Sequence, residues 1–383
     1  MPRTHSDTTD VLVVGAGAIG LACAWRAAGR GLSVRVIDRD TPGSGASTVA
    51  AGMLAPVGEA SWGEQALLDL NLASAEAYPE FVAELESDAQ RPVPYRRCGA
   101  LHVALDRDEL DELRRHHDLQ RSLGLDATSI PPRGCRELEP GLTPSCAGGV
   151  LVPDEAEVEP RALVAALVAA CERAGCELET GTEAIAGILD AERIRGVVTG
   201  DGRELRAERV VLATGSWAGA APWLPERARP PVRPVKGQVL ALSGPADDPL
   251  CERIVATERV YVVPRADGRV AVGSTVEERG FDLTVTAGAV HELLREAYRV
   301  LPEIAELELN GAEAGLRPTT PDNVPVIGPG ALEGLVLATG HFRNGILLAP
   351  ITAEAVAALL VGDEPPAAIA GAAPDRFEGV PAA

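Results

Sequence analysis

Residues 11–14, Val-Leu-Val-Val, form an unbroken apolar run that empties directly into Gly15-Ala16-Gly17-Ala18-Ile19-Gly20. A run of this kind bounded by glycine predicts a buried strand over 10–14, a helix over 18–30 and a second strand over 33–37 that ends at Asp38. The small residues of 41–58 predict a loop. Helical apolar spacing resumes over 67–85 with Leu67, Leu68, Leu72, Ala75 and Phe81. Beyond Gly99 the texture changes: 101–105 predicts a strand, a charged helix follows near 108–123, and 131–144 is loop-rich. Pro160 opens a helix over 163–174 that Gly175 caps, with a strand over 176–179 behind it.

Segments 185–189 and 194–199 predict a hairpin or meander, and 209–215 a buried strand ending in glycine. The proline-rich 222–234 predicts a crossover. Strands over 238–242, 260–263 and 270–272 then belong to a second sheet, accompanied by a helix near 289–301. Strands near Val324 and Val336 and a helix over 344–360 close the chain. The order predicts an α/β protein. A Rossmann-like dinucleotide domain is assembled from 1–88, 147–230 and 311–383, and a second α+β domain on a mixed or antiparallel sheet from 89–146 and 231–310.

The first strand, glycine turn and helix carry chemistry. Gly15 permits the tight turn, Gly17 lets backbone approach a pyrophosphate, and Gly20 lets the helix pack closely on the strand. The pyrophosphate would sit at the helix N-terminus, where unpaired N–H groups and the helix dipole favour negative charge. Asp38, eighteen residues past Gly20, can accept ribose hydroxyls and would repel a 2′-phosphate. The fingerprint alone does not separate FAD from NAD.

With 383 residues the chain exceeds one ordinary core, which predicts two domains. Hydrophobic residues make up 46% but aromatics only 3%, so the core must be built of Ala, Val and Leu. The formal charge of −21 argues against nucleic acid, whose binding needs a basic face. Lys236 is the only lysine, so arginine abundance by itself says little. The polar 1–10 lacks an apolar signal region, and the longest apolar helix, around 163–171, is too short to span a bilayer. Seven scattered cysteines without a Cys-x-x-Cys pattern suit reduced thiols of a cytoplasmic protein. His116 and His117 are helical neighbours that point about 100° apart, so they do not chelate zinc together.

Several separated segments resemble one family, that of FAD-dependent D-amino-acid and amine oxidoreductases. Residues 44–54 (Ser-Gly-Ala-Ser-Thr-Val-Ala-Ala-Gly-Met-Leu) resemble its flavin-contacting loop, and 211–217 (Val-Leu-Ala-Thr-Gly-Ser-Trp) its second FAD contact. Gly315-Leu316-Arg317-Pro318 and residues 340–350 (Gly-His-Phe-Arg-Asn-Gly-Ile-Leu-Leu-Ala-Pro) are similar to its closing segments. The last is long and most similar to the glycine oxidase branch associated with thiamine biosynthesis. The resemblance runs from Val11 to about Leu360.

It implies non-covalent FAD, since the N-terminal flavin loop has neither His nor Cys. The implied contacts are Gly15, Ala16, Gly17, Ala18, Ile19, Gly20, Asp38 and Arg39 at the fingerprint, and Ala46, Ser47, Ala51, Gly52 and Met53 in the loop. Ala184 marks the adenine position, and Ala213, Thr214, Gly215 and Trp217 the second contact. His341, Phe342, Arg343, Asn344, Gly345, Ile346 and Leu347 close the site. Read without the resemblance, 41–58 is equally a flexible loop.

Amino-acid oxidation needs the substrate carboxylate held so that Cα–H faces the flavin. Arg317, placed in a Gly-Leu-Arg-Pro turn, suits that clamp because its planar fork binds carboxylate bidentately. Relatives place a phenol near the same carboxylate, here Tyr261, whose other reading is a core or interface tyrosine. Two roles are open to Arg343: bounding the pocket beside the flavin and stabilising its reduced form, or a cap or salt bridge at a helix start. His341 is read as packing or backbone-bonding, and Lys236 as structural. Val276 stands where glycine oxidase carries a larger methionine; lining the pocket, it would admit substrates larger than glycine.

The reading implied is oxidative deamination of glycine and small amino acids, with molecular oxygen as acceptor, in a homo-oligomer for which relatives suggest a tetramer. The alternatives are a D-amino-acid dehydrogenase, a sarcosine oxidase-like enzyme, a flavin-binding subunit without independent oxidase activity and, as a residual, an NAD-dependent dehydrogenase. Besides substrate, oxygen and further copies of the chain, no nucleic acid and no membrane span are expected.

Overall fold

The computed structural model describes residues 8–377, so most of the polar N-terminal stretch and the last alanines lie outside the described residues. The first apolar run forms the strand Thr8–Val14, the centre of an eight-stranded sheet. It is parallel to Val34–Ile37 on one side and to Glu204–Leu212 on the other. Glu177–Glu179 extends the parallel set beyond Val34–Ile37, and Leu335–Thr339 pairs in parallel with residues 210–212. The hairpin Ala184–Asp190 and Arg193–Thr199 is antiparallel, as the sequence predicts. Strands buried on both faces need continuous apolar runs, and Val34–Ile37 is buried at all four positions.

One face carries the helices Ala18–Gly29, Gln65–Ala89, Pro160–Arg173 and Ala349–Val361, packed against one another over a core of Ala, Leu and Val. Four of the twelve aromatics pack there: Trp25 meets Phe81 edge-on at 5.5 Å, and Tyr78 stacks on Tyr95 at 5.6 Å. Trp223 and Leu224 cover part of the opposite face.

A second eight-stranded sheet runs Glu308–Thr319, Arg233–Ser243, Arg269–Gly273, Tyr261–Pro264, Ile254–Ala256, Ala100–Ala104, Gly148–Val152, Thr128–Ile130. It is antiparallel except where Ile254–Ala256 runs parallel to Ala100–Ala104, hence mixed. The helix Ala287–Val300 packs on it. A small three-stranded sheet of Met53–Leu54, Ala156–Val158 and Tyr95–Arg97 stands apart from both.

Several boundaries differ from the sequence reading. Gly148–Val152 and Glu308–Thr319 belong to the second sheet, so its chain segments extend past the expected limits at 147 and 311. Loop 41–58 contains a helical turn, Ala46–Val49, and the strand Met53–Leu54, while 131–144 contains the helix Pro132–Leu138. The last helix starts at Ala349 rather than 344, because Pro350 has no N–H to donate and fits only a first helical turn. Among the described residues no helix is long and apolar enough to cross a membrane.

Candidate active site

A cavity of about 490 Å³ opens at the C-terminal ends of the central strands, lined by Val14, Ile37, Ala213 and Thr339 from four of them. Glycine shapes its first wall. Gly15 has φ +111°, and a Cβ there would collide with the carbonyl of Ala213. At Gly20 a Cβ would strike the Gly15 carbonyl, so the helix approaches the strand only because both residues are glycine. Gly17, Ala18 and Ile19 turn the N-terminus of the helix Ala18–Gly29 toward the cavity, with Ser47 Oγ accepting from Ala18 N at 3.0 Å. Asp38 fixes the turn: its two oxygens accept from Ala16 N at 2.7 Å and Asp40 N at 2.9 Å, and lone pairs remain for a ligand hydroxyl. Arg39 lies 4.2 Å over the Trp217 ring, and Trp217 stacks on Phe281 at 5.8 Å.

The loop after Gly43 runs along the cavity. Gly52 has φ +73° and abuts the Val158 carbonyl, which leaves no room for a side chain. Buried Arg265, reaching in from the second sheet, donates to the Ala51 carbonyl and pairs with Glu157. That cross-tie went unnoticed in the sequence, where Arg265 is one arginine among many.

Opposite this loop stand the second sheet's side chains. Arg317 lies on the edge strand Glu308–Thr319, not in a turn. Its Nη1 donates to the carbonyls of Thr275 at 3.1 Å and Lys236 at 3.3 Å, and its Nη2 donates to Ser274 Oγ at 2.6 Å. A Cβ at Gly237 would overlap this guanidinium, and one at Gly273 would overlap the Tyr261 phenol, so glycine makes both slots. Burial pushes the Tyr261 phenol above its ordinary range, with Arg317 and Ser274 pulling the other way; it remains protonated at neutral pH. Burial lowers the Arg317 guanidinium, opposed by Tyr261 and Glu59. Arginine stays charged through such a shift.

Arg343 lines the cavity six residues before the last helix begins, and its Nε stands 3.8 Å from Glu59 Oε2. The sequence reading missed Glu59, which lies one residue past the small-residue loop. Burial raises its carboxyl, opposed by Arg343 and Arg317 and reinforced by Glu155. His341 is buried and meets Thr352 Oγ1 at 3.0 Å; burial lowers it to about 3, so it is neutral at working pH.

Also on the lining are Ala46, Ser47, Ala51, Met53, Ala184, Thr214, Gly215, Phe342, Asn344, Gly345 and Ile346. Ala16, Gly20 and Leu347 are not: the first two shape the turn from behind, and the Leu347 carbonyl accepts from Ser74 Oγ at 2.7 Å. Val276 is a correction. Its side chain is 68% exposed and off the cavity, because the chain leaves the sheet after Gly273 with Ser274 turned in and Val276 out. Lys236 is 1% exposed and donates to Asp282 at 2.7 Å and the Thr284 carbonyl at 2.5 Å, pinning the segment that brings Leu283 to the cavity and Phe281 against Trp217. Among the described residues no group of His, Cys, Asp and Glu could hold a metal.

Comparison with known proteins gives this cavity its family. The FAD dependent oxidoreductase family, DAO, matches residues 10–359. The glycine oxidase of Geobacillus kaustophilus is 34% identical over 92% of this chain and 92% of its own. Its crystal structure superposes with a TM-score of 0.89 over 97% of this chain and 99% of that one. The bifunctional protein ThiO/ThiG of Trichormus variabilis is 36% identical over 92% of this chain, which spans about half (53%) of that longer protein. The hydrogen cyanide synthase subunit HcnC of Pseudomonas aeruginosa is 30% identical over 98% of each. The chain belongs to the DAO family of FAD-dependent oxidoreductases, and FAD is its cofactor. The residues present fit that group: a glycine turn with no room for Cβ, a helix N-terminus and an acid lie on one cavity with an open, small-residue wall.

Proposed function

We propose that the protein oxidises glycine and similarly small amino acids: glycine + O2 + H2O → glyoxylate + NH3 + H2O2. The observation carrying this reading is the state of Arg317. Its hydrogen bonds go to two carbonyls and a hydroxyl, and among the described residues no carboxylate lies within ion-pair distance of it. A half-buried cation held by neutral acceptors beside a cavity is prepared for an anion from outside.

When bound, FAD would supply the redox chemistry, as the acceptor for the substrate Cα–H hydride. Arg317 binds the substrate carboxylate and Tyr261 donates its O–H to the same group. The Gly237 and Gly273 slots fix both side chains and thereby the direction of Cα–H. Ser274, bonded to Arg317, keeps the guanidinium plane from rotating. The substrate nitrogen loses one proton to solvent before the hydride leaves, so the amine reacts neutral without a protein base. His341, neutral and occupied with Thr352, moves no proton. The imine product is released to hydrolysis. The half-length match to ThiO/ThiG also supports its direct use in a subsequent thiazole-forming step.

Anaerobic titration with glycine, sarcosine and D-alanine, followed at the flavin band near about 450 nm and then opened to air, tests the reading. Bleaching by glycine, with recovery and peroxide in air, is the expected result. Bleaching without recovery replaces oxygen by another acceptor, as in a dehydrogenase. No bleaching by any of the three overturns the reading. It then favours a subunit acting only within an assembly, which the full-length likeness to HcnC supports.

A further inference from the structure

We propose that Glu59 is the specificity-determining carboxyl of this site: it receives the substrate ammonium and excludes a second substrate carboxylate. The inference rests on the amino-acid reading above and names the charge pattern the site accepts. Glu59 shares the cavity with Arg317, Tyr261 and Arg343, and its side chain is 19% exposed. The remaining charged lining residues, Asp38, Arg39, Asp40 and Glu183, gather at the fingerprint, where Thr182 N donates to the Asp38 carbonyl at 2.8 Å. The substrate end therefore holds two cations and one anion. A carboxylate on Arg317 leaves Arg343 and Glu59 facing the rest of the substrate as a roughly neutral pair. Their 3.8 Å separation exceeds hydrogen-bond length, so Glu59 keeps acceptor capacity for an ammonium.

The placement of Glu59 is enforced from below. Residues 57–60 form neither helix nor strand, yet three side chains hold their backbone. Gln120 Nε2 donates to the Val57 carbonyl at 3.1 Å, Glu155 Oε1 accepts from Gly58 N at 2.5 Å, and His116 Nε2 meets the Ala60 carbonyl at 2.7 Å. Gln120 and Glu155 are 1% and 0% exposed. Gly58 is itself required, because a Cβ would overlap His102 and Glu155. Burying polar groups is costly, and Gln120 Oε1 and Glu155 Oε2 stay buried without a hydrogen-bond partner. Each of these two side chains nonetheless commits its other polar atom to this one turn, and the turn delivers one carboxylate to the cavity.

Acetate, glycine and malonate carry hydrogen, ammonium and a second carboxylate on the same carbon, so they read this charge directly. Dissociation constants for acetate and malonate come from flavin spectral perturbation and calorimetry on the holoenzyme. That for glycine comes from the concentration dependence of anaerobic bleaching. Glu59→Gln keeps an acceptor oxygen but removes the negative charge that faces the ammonium, and it leaves Arg343 uncompensated. It is expected to weaken glycine about tenfold and tighten malonate about tenfold, with acetate changed less than about threefold. Glu59→Asp, which keeps the charge, is expected to restore the order glycine before malonate. A Glu59→Gln protein that shifts all three ligands together, or leaves glycine and malonate where they were, overturns the proposal. A wild-type holoenzyme that binds acetate but is bleached by no amino acid overturns instead the functional reading, and this inference with it.

Discussion

At the fingerprint end of the cavity, shape comes from residues that lack side chains: Gly15 and Gly20 interlock with the carbonyls of Ala213 and Gly15, and Gly52 abuts Val158. At the other end it comes from Arg317, Tyr261, Glu59 and Arg343, delivered by four separate segments and backed by glycine only to make room. The first end offers main-chain groups and a helix terminus, which tolerate no change of backbone. The second presents charges, which can be changed one at a time with the backbone intact. Cofactor retention and substrate selection are thus separable properties, and substitutions should divide accordingly.

The largest effect is expected at the first end. Gly15→Val places a β-branched side chain at φ +111° and drives it into the Ala213 carbonyl, so the turn cannot form. The purified variant is expected to be colourless and to take up no FAD in a fluorescence titration. A normally yellow Gly15→Val protein would break the comparison at its root.

Next comes the clamp. Arg317→Ala deletes a cation whose partners are neutral, so no protein charge is stranded, and FAD binding is expected to be unchanged. The KM for glycine should rise about 100-fold or more, the scale of losing one partner of a desolvated charge pair. Loss of flavin with unaltered substrate affinity would move Arg317 to the other side of the comparison. Lys236 is the instructive neighbour, since it sits beside Leu316 in the ladder while Arg317 pairs with Val235. It already holds Asp282 and so has no charge to offer a substrate. Tyr261→Phe is smaller again. The phenol stays protonated because burial raises it, so only one donated hydrogen bond disappears and kcat/KM should fall about 3- to 10-fold. The dependence should be flat between pH 6 and 9 as far as this group is concerned.

The first end was legible in the sequence because it is local. One strand, turn, helix and acid fall within 31 positions, from Thr8 to Asp38, and glycine is informative where backbone is crowded. The second end was only partly legible. Gly315 and Pro318 punctuate the sequence like a turn, which is why Arg317 was expected in one. Instead Gly315 makes space for the Val49 side chain at 3.2 Å, and Pro318 pairs with Pro234 near the end of an edge strand, where a missing N–H is tolerated. Glu59 was invisible for a different reason. Its turn is held by Gln120 and Glu155, 61 and 96 residues away, and no local pattern encodes such a tether.

The smallest expected effect is the sharpest test of where the second end stops. Position 276 attracts attention by its distance from Tyr261, and a Val in place of a longer side chain would widen a pocket it lined. The end of the strand sets the opposite geometry, since alternation carried on past Gly273 would have put Ser274 and Val276 on one face. Arg269–Gly273 ends at the residue that pairs with Tyr261, and Ser274 turns inward to meet Arg317. Thr275 supplies a carbonyl to the same guanidinium, and Val276 then faces outward, 68% exposed. Added methylenes there meet solvent rather than substrate, and the hydrophobic discrimination of about 1–3 kcal/mol that a pocket methylene gives cannot arise. Val276→Met should therefore change the glycine to D-alanine ratio of kcat/KM by less than about twofold. A shift of tenfold toward glycine would show that residues 274–286 fold inward when substrate binds, and the boundary of the charged end would have to be redrawn to include them.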